Sequence, residues 1–300
     1  MNSEQIQQLN ERFAIAGLAR IEAGKGNLPR VAITTPAAEA HVYLHGAHLT
    51  HFQPRGQRPV LFLSSTSAFE PGKPIRGGVP ICFPWFAERP GDPNAPMHGF
   101  ARTLPWTLTA LQREGDLAGV ELQLESNDTT RRHWPHNFEA RLRVTLTDDL
   151  TIELLVTNTG AERFTFEQAL HSYFTVGDVR QIEVTGLAGA SFVDKNDGGK
   201  RKTIGDEPIR FPGPFDALFE DTQSTCTIID PLFGRRIVVR KGCSSTTIVW
   251  NPGSHGKQFT DLPDNERHNF VCVETANARG NAITLAPGEM HGMAASISLE

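Results

Sequence analysis

The chain has 300 residues, of which 39% are hydrophobic and 21% are charged, and its net charge is −5. Because it carries no excess of positive charge to neutralise a phosphate backbone, we expect no nucleic-acid partner. It contains no run of about 18 apolar residues, so we expect no membrane-spanning helix. The polar beginning, MNSEQIQQLNERF, lacks the apolar region of a secretory signal. These features favour a cytoplasmic globular protein.

Two sets of possible metal ligands are present in the sequence. The cysteines are widely scattered and form no CxxC pair, which argues against a disulfide framework or a zinc site and fits a reducing cytoplasm; they are Cys82, Cys226, Cys243 and Cys272. A short segment also holds four histidines: His41, His45, His48 and His51. Their spacing fixes no converging geometry, so a solvated strand-and-turn cluster is the favoured interpretation. We therefore expect no metal and no cofactor.

The first element in chain order is a short amphipathic helix, predicted by the helical spacing of Ile6, Leu9 and Phe13 within residues 1–20. The remainder, 21–300, is dominated by the alternating pattern of strands. The clearest runs are 41–52, 119–126, 139–147, 150–159 and 235–241.

Turn residues separate several of these runs. TDD (147–149) and APGE (286–289) each lie between two strand patterns and predict hairpins. No long helix alternates with the strands, which disfavours a parallel architecture. The sequence therefore predicts an all-β chain, with a helical segment at 1–20 and one large antiparallel β-sandwich domain at 21–300.

Four segments place ionisable side chains among apolar or aromatic neighbours. Arg76 begins one such segment, His98 and Arg102 lie in a second, His171 lies beside Leu170 in a third, and Glu274 follows a buried strand pattern. A glutamate in that setting should have a raised pKa unless it is paired, and it could then accept a proton near neutral pH. Each half-buried arginine needs an anionic partner, either a distant carboxylate or a ligand.

Taken together, five segments in order resemble the hexose-6-phosphate mutarotases, the glucose-6-phosphate 1-epimerase branch of the aldose-1-epimerase-like family. They are IRGGVPICFPWF (75–86), HGFARTLPW (98–106), LHSYFTVGDV (170–179), IVWNPG (248–253) and CVETAN (272–277). The resemblance covers most of the chain. It implies a galactose-mutarotase-like β-supersandwich with a sugar cleft on one concave face. It also implies a cofactor-free isomerase that interconverts the α and β anomers of a hexose 6-phosphate.

The resemblance also implies roles for individual residues. His171 matches the family's general acid, and Glu274 matches its general base. Arg76 and Arg102 match the arginines that hold the sugar phosphate, which would make the substrate their missing anion. We expect the imidazole and the carboxyl to face each other across a pocket one hexose wide.

Further substrate contacts are predicted with less support from the motifs. Asp216, in PFDALFED, matches the acidic residue that binds sugar hydroxyls. Met97 stands where some relatives have a polar substrate contact, and a methionine cannot donate that hydrogen bond. His98 could touch the sugar or brace the Arg102 loop. Trp250 borders the NPG loop and could stack on a sugar face, although large aromatic residues more often belong to a core.

Other interpretations remain open at this stage. The arginines could pair with distant carboxylates in a structural network, and a histidine between aromatic residues is often a core residue. The protein could be a carbohydrate- or phosphosugar-binding sandwich without catalysis, or a mutarotase for unphosphorylated aldoses. Its expected partner is a small-molecule hexose phosphate, and we expect a monomer.

Overall fold

The computed structural model describes residues 1–89 and 91–300. Two α-helices lie within these residues, α1 (Ser3–Phe13) and α2 (Asp128–His133). The strands are β1 (Ala19–Ala23), β2 (Pro29–Thr34), β3 (Ala38–Tyr43), β4 (His48–Pro54), β5 (Ile81–Cys82), β6 (Thr107–Glu114), β7 (Leu117–Glu125), β8 (Phe138–Leu146), β9 (Leu150–Asn158), β10 (Phe164–Phe166), β11 (Gln168–Leu170), β12 (Tyr173–Thr175), β13 (Glu183–Thr185), β14 (Ser191–Asp194), β15 (Lys200–Thr203), β16 (Phe215–Glu220), β17 (Cys226–Asp230), β18 (Arg235–Gly242), β19 (Thr246–Asn251), β20 (Phe270–Asn277), β21 (Ile283–Leu285) and β22 (Met290–Leu299).

Two eight-stranded sheets form the body of the protein. The site sheet has the order β15-β14-β16-β19-β20-β11-β5, and β12 also pairs with β20. The back sheet has the order β13-β17-β18-β22-β9-β8-β7-β6. Neighbouring strands such as β8 and β9, or β19 and β20, run antiparallel. The predicted all-β fold of mostly antiparallel strands is confirmed.

The alternation in the sequence identifies the back sheet well. Along β8 and β9 every second residue is buried, from Phe138 to Leu146 and from Leu150 to Asn158, and the tight TDD turn joins the two strands. The apolar residues of this set belong to the largest apolar cluster, which the site sheet shares through Val271 and Val273 of β20. The core therefore lies between one face of each large sheet.

One predicted hairpin is wrong. The APGE turn exists, since Glu289 N–H donates to the Ala286 carbonyl at 3.0 Å. However, β21 pairs with β10, whereas β22 pairs with β9 and β18. A turn signal reverses the chain but does not choose the partner strand, and here the two strands that flank the turn join different sheets.

The predicted N-terminal helix is confirmed as α1, and Asn2 caps it by accepting a hydrogen bond from Gln5 N–H. Its apolar residues Ile6, Leu9 and Phe13 are partly buried and pack against the large core cluster. The division into segments 1–20 and 21–300 stays a prediction. Among the described residues, no helix is both long enough and apolar enough to cross a membrane.

Gly99 offers a test of how tightly the loop before β6 is packed. Its φ is +75°, and a Cβ at this position would overlap the carbonyl of Phe83. Gly56 has the same kind of backbone, with a φ of +76°, but no described heavy atom lies within 4 Å of its added Cβ. Gly56→Ala should therefore lose only about 1–2 kcal/mol for the left-handed backbone.

Gly99→Ala should lose that amount and a further packing penalty, about 3–5 kcal/mol in total. Urea unfolding of the two variants measures the difference in the free energy of unfolding. Equal losses for the two variants would show that the contact with Phe83 does not constrain the loop.

Candidate active site

The floor of the largest pocket is one face of the site sheet. Cross-strand register places one row of side chains over adjacent strands: Asp216 of β16, Trp250 of β19, Cys272 of β20 and Tyr173 of β12. The next pair on this face is Ile248, two residues before Trp250, and Glu274, two residues after Cys272. Because side chains alternate along a strand, both rows project from the same face. The predicted acid–base and sugar-binding residues thus share one surface.

His171 lies between β11 and β12, which share one register with β20, and that register brings it to this surface. Leu170 pairs with Thr275 and Tyr173 pairs with Cys272, so His171 lies opposite Glu274. The backbone N–H of His171 continues the β11–β5 register and donates to the Pro80 carbonyl at 3.0 Å, whereas the Ser172 N–H turns back to the Leu170 carbonyl at 2.9 Å. The histidine is therefore a cross-strand neighbour of the glutamate at a point where the hydrogen-bonded ladder is interrupted.

His171 and Glu274 lie in direct contact. The distance from His171 Nδ1 to Glu274 Oε1 is 3.3 Å, and their side chains are 9% and 1% exposed. Neither His171 Nδ1 nor Glu274 Oε2 has an aligned hydrogen-bond partner among the described residues. The expectation that the two groups face each other across a hexose-wide pocket is wrong, since they adjoin on its floor.

Burial controls the protonation of this pair. It lowers the pKa of His171 well below the ordinary value, and the nearby cations Arg102 and Arg76 lower it further. Burial also raises the pKa of Glu274 well above its ordinary value, although the Lys195 charge acts in the opposite direction. Both shifts favour the uncharged form of each group. Burial therefore favours a neutral imidazole beside a protonated carboxyl group.

The floor is completed by a neutral thiol. The Sγ of Cys272, one ring nitrogen of His171 and one carboxylate oxygen of Glu274 all lie within 4.8 Å of one another. Burial, together with the adjacent Glu274, raises the pKa of this thiol well above its ordinary value. Cys272 therefore fills space beneath the pair as an uncharged group.

The loop that ends in Arg102 supplies one side of the pocket. Arg102 Nη2 donates to the Met97 carbonyl at 2.8 Å, and the Nε of Arg102 is buried without a partner among the described residues. The Met97 side chain is 44% exposed, so it is the Met97 backbone that makes the visible contact. Arg102 thus reaches the pocket with a guanidinium group whose donors are only partly used.

His98 lies in the same loop. Its Nδ1 accepts a hydrogen bond from Ala87 N–H at 3.1 Å, so in the neutral ring the proton is carried by Nε2. Burial and the nearby Arg102 lower the pKa of His98 well below its ordinary value. Its ring meets that of His171 edge-on, with centroids 5.5 Å apart. His98 is therefore a neutral donor beside the acid–base pair.

Arg76 already has a carboxylate partner. Its Nε donates to Asp261 Oδ2 at 3.1 Å, and its Nη1 donates to the hydroxyl of Tyr173 at the same distance. The ring of Phe259 lies 4.9 Å from the guanidinium carbon. Of the two alternatives for Arg76, a distant carboxylate or a ligand, the structure therefore shows a distant carboxylate. Asp261 lies 185 residues away along the chain, and no sequence pattern pointed to it.

Lys195 is a further cation of the pocket, and the sequence interpretation missed it. Lys195 Nζ lies 3.7 Å from Asp216 Oδ1, and the two side chains are 32% and 25% exposed. Burial raises the pKa of Asp216 although Lys195 lowers it. Lys195 follows β14 in an ordinary polar turn, VDKNDGG, which carries no recognisable signal.

The structure brings all eight predicted site residues to one pocket of 620 Å³, which is in the usual range for small-molecule sites. They are Arg76, Met97, His98, Arg102, His171, Asp216, Trp250 and Glu274. Trp250 meets His171 edge-on at a centroid distance of 5.9 Å. Residues that the sequence interpretation did not assign also line the pocket: Lys195, Tyr173, Phe259 and Asp261.

The four clustered histidines lie elsewhere and do not form one solvated group. His45 and His48 are buried, and their Nε2 atoms contact the carbonyls of Lys73 and Gly77. His41 and His51 stack with ring centroids 4.8 Å apart. The predicted solvated cluster is therefore wrong for His45 and His48, which are buried residues anchored through Nε2 to backbone carbonyls.

Comparisons with known proteins agree with this architecture. Residues 29–298 match the family model described as aldose 1-epimerase. A protein of Escherichia coli (strain K12) described as a "Putative glucose-6-phosphate 1-epimerase" is 36% identical over 254 residues, 84% of each chain. A protein of the same description from Salmonella typhimurium is 36% identical over 255 residues, again 84% of each chain.

A solved structure extends the similarity to almost the whole fold. The crystal structure of a "putative mutarotase" from Salmonella typhimurium superposes with a TM-score of 0.89 at 32% identity, covering 96% of this chain and 95% of that one. By sequence and by fold, the chain belongs to the aldose 1-epimerase family of isomerases.

Proposed function

We propose that this protein interconverts the α and β anomers of a hexose 6-phosphate, with glucose 6-phosphate as the preferred candidate. The observation that carries the proposal is the adjoining His171–Glu274 pair on the floor of a pocket that also holds Arg76 and Arg102. The glucose-6-phosphate 1-epimerase descriptions of the relatives support the same substrate class.

The reaction needs a base and an acid that reach two neighbouring oxygens. The base takes the proton from the O1 hydroxyl, the C1–O5 bond breaks, and the acid protonates the ring oxygen, leaving a free aldehyde. Rotation about C1–C2 presents the other carbonyl face, and ring closure reverses the proton transfers. O1 and O5 are bonded to the same carbon, so groups that lie 3.3 Å apart suit them better than groups separated by a hexose.

We assign Glu274 the role of base and His171 that of acid when a cyclic sugar is bound. After ring opening the proton has moved from the imidazolium to O5, and the O1 proton lies on Glu274. This neutral form is the one that burial of the two side chains favours. Reclosure returns both groups to their starting forms. The total number of protons on the pair is unchanged through the cycle.

The phosphate of the substrate is assigned to the side of the pocket near Arg76 and Arg102. A planar guanidinium group can donate two hydrogen bonds to one anion, and Arg102 has buried donor capacity to spare. Asp261 would have to share Arg76 with the incoming phosphate. Asp216 and Lys195, on the other side, are suited to sugar hydroxyls because together they offer an acceptor and a donor.

Two alternatives are separable by experiment. A mutarotase for unphosphorylated aldoses would use the same floor but would gain little from the arginines. A non-catalytic phosphosugar-binding sandwich would have no need for an adjoining acid and base. The arginines favour the phosphorylated substrate over the first alternative, and the His171–Glu274 contact favours an enzyme over the second.

The proposal is tested by exchange NMR on equilibrium mixtures of anomers, first of glucose 6-phosphate and then of glucose, with and without the protein. We expect the protein to accelerate exchange between the phosphorylated anomers strongly and to act on glucose much more weakly. Equal acceleration of both sugars would favour the unphosphorylated alternative. Binding of glucose 6-phosphate without acceleration would favour the non-catalytic one.

The pH dependence follows from the directions of the two pKa shifts. The pair gains a second proton only when the pH falls well below 6.5, the ordinary value for histidine. It loses its only proton when the pH rises well above 4.5, the ordinary value for glutamic acid. We therefore expect kcat/KM, corrected for the second ionisation of the substrate's phosphate near pH 6, to be bell-shaped with a plateau through neutrality.

The two apparent pKa values belong to the pair and not to either residue. A rate that declines as the pH rises through the ordinary histidine value would contradict the expectation, because it would mean that an unshifted imidazolium is required. A monomeric state and a cytoplasmic location stay predictions from the sequence.

A further inference from the structure

His171 is surrounded by the rings of Tyr173, His98 and Trp250, and two of these residues lie beside contacts made by the arginines. On one side the ring of Tyr173 stacks on it at 4.8 Å with an interplanar angle of 9°, and Arg76 donates to the Tyr173 hydroxyl at 3.1 Å. On the other side His98 meets it edge-on at 5.5 Å. Residue 97, next to His98, accepts a hydrogen bond from Arg102 at 2.8 Å. Arg76 thus contacts the residue whose ring stacks on His171, and Arg102 lines the same pocket as the histidine.

The cations near this histidine are not all paired with a carboxylate. Asp261 pairs with Arg76, and Asp216 pairs with Lys195, but among the described residues Arg102 has no carboxylate partner. The unpaired guanidinium of Arg102 is a surplus positive charge beside these pairs, and it opposes formation of an imidazolium at His171, whose pKa is lowered by burial and then by Arg102 and Arg76. In a poorly solvated pocket such interactions are weakly screened.

An anion bound at the arginines would reverse this balance. A phosphate dianion carries about two negative charges at neutral pH, which exceeds the surplus charge near His171. Arg102 and Arg76 are the charges that act most strongly on the pKa of His171, whereas Lys195 and Asp216 act on that of Glu274, so an anion at the arginines would act mainly on the histidine.

We propose that a phosphate dianion held by Arg76 and Arg102 activates the catalytic pair as well as anchoring the sugar. It moves the proton of the pair from Glu274 to His171, giving the imidazolium and the carboxylate that ring opening requires. The O–H bond of the Glu274 carboxyl breaks, an N–H bond forms on His171, and the total charge of the pair is unchanged. This inference rests on the proposed function and adds that the phosphate raises kcat as well as affinity.

The inference is testable with the substrate divided into two pieces. D-Xylose lacks C6 and its phosphate, so its anomers can occupy the floor while phosphite dianion occupies the arginine side. Exchange NMR on xylose measures the catalysed rate with increasing phosphite, with sodium chloride at matched ionic strength as the salt control. We expect a saturable increase of roughly tenfold or more, within the range of typical coupling between two sites.

Arg102→Gln should abolish the activation by phosphite. Arg20→Gln is the matched control, because Arg20 has a 67% exposed side chain outside the pocket and should keep the activation. If glucose 6-phosphate is anomerised rapidly but phosphite leaves the xylose rate unchanged, the inference is overturned while the proposed function stands. If the protein accelerates neither sugar, the proposed function itself is wrong, and the inference is overturned with it.

A second measurement does not depend on turnover. The ring ¹⁵N shifts of His171, assigned by comparison with His171→Asn, report whether one or both ring nitrogens are protonated. We expect one unprotonated ring nitrogen without ligand and two protonated nitrogens at saturating inorganic phosphate. An unchanged, neutral ring in a sample where calorimetry shows phosphate bound would also overturn the inference.

Discussion

Replacing Glu274 with glutamine is expected to lower the rate constant for anomer exchange of glucose 6-phosphate by about 10²–10⁴-fold. The amide keeps the shape of the buried side chain, which is 1% exposed, but it cannot accept and return the O1 proton. Exchange NMR at saturating substrate gives the rate constant, and calorimetry gives the affinity, which should change little because the phosphate contacts are intact.

His171→Asn should cause a loss of similar size, since the two groups act in one proton cycle, and the double variant should lose little more than either single one. Glu207 is an exposed glutamate outside the pocket, so Glu207→Gln controls for the effect of a Glu-to-Gln change as such and should retain full activity. Full activity in both Glu274→Gln and His171→Asn would remove the pair from the mechanism.

Replacing Arg102 with glutamine is expected to lower kcat/KM for glucose 6-phosphate by about 10–150-fold, which corresponds to the loss of a charged hydrogen-bonding group of about 1.5–3 kcal/mol. The effect on unphosphorylated glucose should be small, because that sugar has no anion for the guanidinium to bind. The ratio of the two kcat/KM values therefore measures the contribution of Arg102 to substrate selection.

Arg102→Lys is an informative companion variant. It keeps the positive charge but loses the planar fork, so it should retain part of the preference for the phosphorylated sugar. A proportional loss for both sugars in Arg102→Gln would instead indicate that the residue only supports the loop through its contact with the Met97 carbonyl.

Much of the fold could be predicted from the sequence because alternation reports directly on burial. Strand β8 is an example: Leu142 and Val144 are fully buried on one face, while Arg143 on the other face pairs with Glu121 of β7. Which strands pair with each other was harder to predict from the sequence. The turn before β22 was visible, but its flanking strands enter different sheets, and that depends on packing between distant parts of the chain.

In the active site, too, some features could be predicted from the sequence and others could not. His171 and Glu274 were identified by resemblance, yet their direct contact depends on the register in which β11 and β12 pair with β20, and no local pattern indicated that register. Asp261 could not be found as the partner of Arg76, because the pair is brought together by tertiary folding alone. Lys195 follows a strand in a common polar turn, and only its position over the pocket distinguishes it from other surface lysines.

The position of a bound substrate tests the central claim most directly. In a crystal structure of the Glu274→Gln variant with glucose 6-phosphate, the phosphate should lie within hydrogen-bond distance of Arg76 and Arg102. The C1 end of the sugar should then lie on the floor, with O1 and O5 against residue 274 and His171. Arg279 also lines the pocket. A phosphate held instead by Lys195 and Arg279, with C1 directed away from His171, would contradict the account.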